Sequence, residues 1–565
     1  MKTVSFAVLG LLLGSNFAGA ADMPAIVPAL VPVAPWSWTG LYIGGHVGGG
    51  FGNSQFADPA GAAIYGGSVR SPMFLVGGQA GYNWQIPNSN FVVGAEVDAA
   101  ASFADGTATC LASSGFYISA NCRVRQDAVG SLTGRVGWVT GARGHTLVYA
   151  KGGSAWLRER FDITTNALTP ALATGFDGAR FGWTVGAGVE KALTPAWSFK
   201  VEYDYANFGA LNAATPASYL QVLPPLNNGY LQTAGGTSSV SQNLQTVKVG
   251  LNYKVGVDAD ARWEASDYHL RGTTDAGFIP GAEVEIGGRV WYSSGRFQKD
   301  LGATIDQAQR NVLVSRLTYD TTAASGEVFG RVDSSSNVFL KGFIGGGKLM
   351  SGNMHDEDWV IFNATVPYSN TLSNRVTGDI GYVTLDLGYS LFRGPSANIG
   401  GFVGYNYYRD DKSAFGCVQI ANRNSACAVS IPNSTLVITE NNRWNSFRIG
   451  ANGVVKIMDG LTLTADAAYL PFANFKGTDN HLLRTDVTDT VSPEAGTGHG
   501  MQLEAILSYA IGKSFSIGAG GRYWAMWAPG ASTNIFGTDC PCQTLPVRTE
   551  RYGGFIQASY KLGGL

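Results

Sequence analysis

Downstream of the first twenty positions no run of eighteen consecutive apolar residues occurs, so the chain offers no helix able to cross a bilayer. Charge is scarce too. Asp, Glu, Lys and Arg make up 14% of the 565 residues and sum to −2, which excludes a charge-driven nucleic-acid binder and names no partner. No histidine lies near any of the six cysteines, which argues against zinc. What the chain has in excess is glycine, 76 residues, and aromatic side chains, 12%. That composition rules out intrinsic disorder and suggests a barrel presenting aromatic groups to something other than water. The length is several times the ~150 residues of a typical domain, so more than one folding unit is expected.

Met1–Ala20 has an early Lys2, an apolar core from Phe6 to Gly14 and Ala18-Gly19-Ala20 at its end, the pattern of a secretory signal cleaved after Ala20. Residues 21–35, punctuated by Pro24, Pro28, Pro32 and Pro35, read as an extended N-terminal arm. The cysteines fall as Cys110/Cys122, Cys417/Cys427 and Cys540/Cys542, close pairs that suit local loop staples in an oxidising compartment. A bridge across Cys540-Pro541-Cys542 would be strained.

From Trp36 onward the pattern has a period of two. Trp197, Phe199, Val201, Tyr203 and Tyr205 share one face against Ser198, Lys200, Glu202 and Asp204 on the other. Eight such segments lie near 38–51, 74–86, 91–102, 130–140, 145–158, 180–191, 196–206 and 241–254. Ten more lie near 280–297, 311–333, 337–350, 376–393, 397–411, 443–457, 460–474, 499–511, 515–528 and 548–562. In both sets short turns alternate with long polar loops, the mark of a barrel whose turns face the periplasm and whose loops face outward. The predicted fold is all-β: two transmembrane antiparallel up-and-down β-barrels, eight strands in 36–254 and ten in 278–565, joined by a periplasmic linker at 255–277. Barrels of this size are filled by side chains, so a wide pore is not expected. Trp156, Trp197, Trp444, Trp524 and Trp527 near strand ends suit interfacial girdles. The Gly44–Gly52 run lacks the Lys-Ser/Thr and the helix of a phosphate loop.

Two polar clusters carry chemistry. The third strand of the second barrel ends in Gly352-Asn353-Met354-His355-Asp356-Glu357-Asp358-Trp359, and the seventh in Lys476-Gly477-Thr478-Asp479-Asn480-His481. Loop parity puts both at the outer rim. Residues i and i+2 of a strand share a face, so Asp356 projects with Asp358 and Asp479 with His481. A carboxylate beside an imidazole makes a general base, and two facing carboxyls can hold the water and polarise a carbonyl. The bland readings of such a cluster are a solvated acidic rim, a calcium site, or a metal held by His355, Asp356, Asp358 and His481.

On those motifs, residues 278–562 resemble the omptin family of outer-membrane endopeptidases, which are ten-stranded barrels. Val314-Ser315-Arg316-Leu317 and Gly404-Tyr405 add to the resemblance. It implies that Asp479 and His481 activate a water, that Asp356 and Asp358 face them, and that a peptide carbonyl is attacked without a covalent intermediate. It also implies lipopolysaccharide bound on the outer wall by Tyr405 and Arg409, no other cofactor and no metal. Partners would be peptides or proteins outside the cell, and the location the bacterial outer membrane. The sequence departs from the family where members that cut at basic residues carry pocket carboxylates: it has Gly477 in one such place and Lys299 in the other. Altered specificity or weak activity is the expected result, and the preference for basic residues is not carried over. Residues 36–254 resemble the small eight-stranded porin-like surface antigens of Gram-negative bacteria, on Trp38-Thr39-Gly40-Leu41-Tyr42-Ile43-Gly44-Gly45 and Val247-Lys248-Val249-Gly250-Leu251-Asn252-Tyr253. That resemblance implies no chemistry. The competing functional class is therefore a non-enzymatic surface barrel, an antigen or adhesin, with a degenerate protease unit.

Overall fold

The computed structural model describes residues 36–562 apart from 60, 113–118, 142–143, 166–172, 223–228, 258–281, 303–312, 362–365, 395, 422–425 and 538–542. The expected signal and arm, most of the linker, and Cys540 and Cys542 lie outside the described residues.

Two rings of antiparallel strands follow one another along the chain. The first contains Gly40–Phe56, Ser68–Gln85, Phe91–Cys110, Ala120–Thr140, Thr146–Thr165, Ala173–Ala192, Trp197–Ala214 and Thr237–Lys254, and closes where its first and last strands pair with Val47 opposite Val249. The second contains Ala282–Gly302, Leu313–Ser334, Val338–Ile361, Arg375–Arg393, Ala397–Gln419, Ile431–Met458, Leu461–His481, Val491–Ile511, Phe515–Ala528 and Val547–Leu562. It closes with Trp291 opposite Phe555. Closure gives the first and last strand of each ring a partner, so the backbone groups of the spanning strands are satisfied within the sheet as lipid requires.

The alternation seen in sequence becomes two faces with different surroundings. Trp197 and Tyr203 stand exposed on the outer wall, whereas Lys200, Glu202 and Asp204 on the alternate positions are buried in the lumen. There the charges pair off: Arg135 with Glu190 at 2.7 Å, Lys151 with Glu202 at 2.6 Å, Lys248 with Asp98 at 2.9 Å. The second lumen is braced the same way, with Arg289 donating to Glu327 at 3.0 Å and Arg522 bridging Glu327 and Glu504. Paired charge across the bore fits the expectation of filled barrels.

Two expectations need correction. Trp444 and Trp524 are not interfacial: they are 0% and 3% exposed and belong to the second barrel's core, where Trp524 packs edge-on to Trp291 at 5.2 Å. Both point into the bore, because their places in the two-residue period put them on the inner face. The strands also run further outward than the apolar pattern suggested. Exposed apolar residues stop at Met350 on the third strand of the second barrel and at Phe472 on the seventh, yet pairing continues to Ile361 and His481. Beyond the lipid belt alternation need not be apolar against polar, so the sequence signal fades while the sheet goes on.

The barrels lie side by side within one compact unit. Near the short turns Thr146 donates to the Ile457 carbonyl at 2.9 Å, and toward the long loops Arg70 pairs with Glu550 at 3.2 Å. Phe199, on the same face as exposed Trp197, is buried at this seam with Ile399 and Val455.

Candidate functional site

The outer ends of the third and seventh strands rise clear of the lipid belt. Asp479 stands seven residues past Phe472, about 20 Å further along the strand. At that level the inward faces of the strands form the bowl of the second barrel, and the four residues expected to carry chemistry lie there within one another's electrostatic reach.

The Asp479 Oδ2 and His481 Nε2 atoms are 2.9 Å apart. Lys299, from the first strand, donates to the same carboxylate at 2.8 Å. Burial works against ionising Asp479, but the His481 and Lys299 charges overcome it and hold the carboxyl well below its ordinary value. An ionised Asp479 only accepts, so the proton between the two sits on Nε2, leaving Nδ1 of the neutral ring as the basic nitrogen. For His481 burial disfavours the charged ring, yet Asp479 and then Asp356 more than offset it and raise its pKa above 6.5.

Asp356 and Asp358 face this pair. Burial, and next the charge of Asp358, push the Asp356 carboxyl up to about 8 while His481 pulls it down. Asp358 is raised by burial and steadied by a hydrogen bond from Ser315, which stands opposite it in register. The acidic pair and the dyad thus lie in one another's field, and near neutral pH Asp356 can offer a proton as well as accept one. The outward-facing partners at this rim include Arg484, whose charge reaches both carboxyls of the pair.

The ring of His481 is held by a residue that no sequence motif singles out. Phe536 packs edge-on to it at 5.3 Å, with its backbone in the left-handed region (φ 51°) and its amide donating to Ser492 Oγ at 3.0 Å. A bulky side chain in that region is strained and persists only where its surroundings impose it.

Lys299 and Gly477 prove informative together. Lys299 Nζ also donates to Glu440 at 2.6 Å and to Glu494 at 2.7 Å, all three carboxylates being buried. Glu494 lies opposite Gly477 in register, and a Cβ at 477 would meet its Oε2 at 2.7 Å. The expectation that this corner lacks carboxylates is therefore corrected. Glu440 and Glu494 supply them from neighbouring strands, and the chain's own Lys299 ammonium pairs with both. Sequence spacing could not reveal this, because the two glutamates come from strands far apart in sequence.

His355 turns away from the bowl. Its ring stacks on Tyr65 of the first barrel at 4.0 Å, so it does not join Asp356, Asp358 and His481 in a metal set. On the outer wall Tyr405 is exposed, and Arg409 lies 3.7 Å from Asp411, which also holds Arg443. Among the described cysteines Cys110 bridges Cys122 and Cys417 bridges Cys427, both pairs at long-loop ends.

A family model described as outer membrane protein beta-barrel domain matches residues 11–219, and one described as Protochlamydia outer membrane protein matches 306–531. Over 263 residues, 45% of this chain, it is 33% identical to the 31 kDa outer-membrane immunogenic protein of Brucella melitensis and covers 100% of that protein. The chain belongs to the outer-membrane β-barrel family. Another member, the 25 kDa outer-membrane immunogenic protein of Brucella canis, is 29% identical over 232 residues, 40% of this chain and 84% of the relative. Among solved structures this outer-membrane protein is similar to the outer membrane protease OmpT from Escherichia coli at 14% identity and a TM-score of 0.43, covering 50% of this chain and 97% of that one. That likeness is too distant to assign an activity.

Proposed function

We propose that this outer-membrane protein is an endopeptidase that cleaves peptides or proteins at the cell surface with an activated water. The supporting observation is the 2.9 Å Asp479–His481 contact with the Asp356 carboxyl in its field. His481 Nδ1 takes a proton from a water held between the dyad and the acidic pair. The oxygen attacks the peptide carbonyl carbon, and protonated Asp356 donates a hydrogen bond to the oxyanion. His481 then returns the proton to the departing amide nitrogen, the C–N bond breaks, and no acyl-enzyme forms.

Because the Lys299 ammonium already occupies the carboxylates beside Asp479, a basic substrate side chain would have to compete with it there, and uncharged residues near the scissile bond are favoured. Tyr405 and Arg409 on the outer wall suit lipopolysaccharide as an activating lipid, the arginine meeting phosphate. The second reading, a non-enzymatic surface antigen, draws on the names of the immunogenic relatives, which align with less than half of the chain. Incubating the refolded protein with a diverse peptide library and lipopolysaccharide in H₂¹⁸O separates the two. The proposal expects ¹⁸O in new C-terminal carboxylates and none with His481→Ala. No cleavage of any peptide by folded protein supports the antigen.

A further inference from the structure

The third strand of the second barrel has two chemically distinct sides at its outer tip. Asp356 and Asp358 enter the bowl, and His355, Glu357 and Trp359 point the other way, where each meets the first barrel. The His355 ring stacks on Tyr65 with 24° between planes. Glu357, 0% exposed, accepts from Thr109 Oγ1 at 2.9 Å and from its own barrel's Tyr368 at 2.7 Å. The Trp359 indole donates to Ser119 Oγ at 2.6 Å, and its ring is 1% exposed. Arg316, paired with Glu357 in register, donates to Thr109 Oγ1 at 2.9 Å and to Asn121 at 2.7 Å while its other N–H groups hold Asp300. The Thr109 hydroxyl therefore accepts from Arg316 and donates to Glu357. Thr109 and Asn121 flank the Cys110–Cys122 bridge, which ties the two strands presenting them, and Ser119 immediately precedes the second of those strands.

We infer that the first barrel is a positioning element for the second barrel's site: its stapled outer rim grips the back of the strand whose front carries Asp356 and Asp358. The physical ground is the two-residue period of a strand. Fixing residues 355, 357 and 359 from behind fixes the direction of 356 and 358, because a twist that turned the carboxyls out of the bowl would break every contact on the other side. This far from lipid the tip of the third strand projects beyond the apolar belt, and the polar contacts to its back from within its own barrel come from the adjoining strands. Tyr65, Thr109 and Ser119 supply the third dimension of the hold. They are positioning residues, since none touches the bowl. The inference rests on the proposed peptidase reading for its consequence in catalysis, but the grip itself stands on contacts alone.

The test uses the full-length protein in lipopolysaccharide-containing vesicles. Thr109→Val keeps the volume and deletes the bridging hydroxyl; Thr109→Ser restores it; Tyr65→Leu is a second, independent perturbation should the valine variant not fold. Amide hydrogen exchange is followed in 353–361 and in 475–481, alongside peptide turnover. Thr109→Val and Tyr65→Leu should speed exchange in 353–361 and leave 475–481 at the wild-type rate. They should also lower kcat at least about tenfold with KM unchanged, and Thr109→Ser should recover both. Wild-type exchange and wild-type kcat in Thr109→Val and Tyr65→Leu would overturn the inference, as would equal acceleration in both segments, which means general loosening. Faster exchange confined to 353–361 in a protein that cleaves nothing, variants and wild type alike, would sustain the grip and remove the peptidase.

Discussion

Replacing Lys299 by Met removes one ammonium from among three buried carboxylates, and the structure dictates the consequence. The lysine nitrogen lies 2.6, 2.7 and 2.8 Å from Glu440, Glu494 and Asp479. Breaking a buried pair by deleting one partner costs about 3–5 kcal/mol, and here the orphaned charges can escape only by taking up protons. The loss must therefore depend on pH. With Lys299 in place Asp479 is held below its ordinary value, so its contribution is complete above about pH 4 and fades only as pH falls through the depressed value. Burial already raises Glu440 and Glu494, and without the ammonium they rise further. In the variant, stability is lost as pH climbs through those raised values. Urea unfolding in vesicles, scored by the mobility of the folded barrel, should show a deficit that is large at pH 8 and shrinks toward pH 5. Glu494→Gln added to Lys299→Met should recover part of it at pH 8. An equal midpoint for variant and wild type at pH 8, or a deficit independent of pH, would refute the reasoning.

Other consequences are as direct. Since His481 is raised above 6.5 and acts in its neutral form while Asp356 acts protonated, peptide cleavage should rise with pH through a midpoint above 6.5 and fall again as Asp356 ionises near 8, and Asp479→Asn should move the rising limb down while lowering the rate. A rate that falls with pH from below 6.5 onward, with no rising limb, would contradict the base assignment. Phe536→Gly should relieve the left-handed backbone and leave urea stability unchanged or higher by up to about 1 kcal/mol, yet slow cleavage several-fold by freeing the His481 ring. Tyr405→Ala with Arg409→Ala should abolish stimulation by lipopolysaccharide without changing folding, because both side chains stand on the outer wall.

The fold is largely legible in sequence because a strand between lipid and a polar bore must alternate, and the alternation of Trp197 to Tyr205 is that requirement written out. The same logic brings the candidate residues to one rim. Asp356 and Asp358, like Asp479 and His481, sit two apart on a strand, and parity of short and long connections puts both strand ends at one rim. What escapes the sequence depends on neighbours from distant strands. Glu440 and Glu494 reach Lys299 only after the ring closes, and nothing local marks them. Trp444 and Trp524 are ambiguous in sequence because an aromatic near a strand end suits a girdle and a core equally until its place in the period is known. The grip of Thr109 on Glu357 spans two barrels and more than two hundred residues, beyond any spacing argument.

The most direct measurement is a double-mutant cycle on peptide cleavage with His481→Ala, Asp356→Ala and the combination. If imidazole and carboxyl act on one water, each single change lowers kcat by roughly 10³ and the pair together falls no further than the worse single. Cleavage undiminished by either change, or losses that multiply in the combination, would show that the dyad and the acidic pair do not act on a shared water.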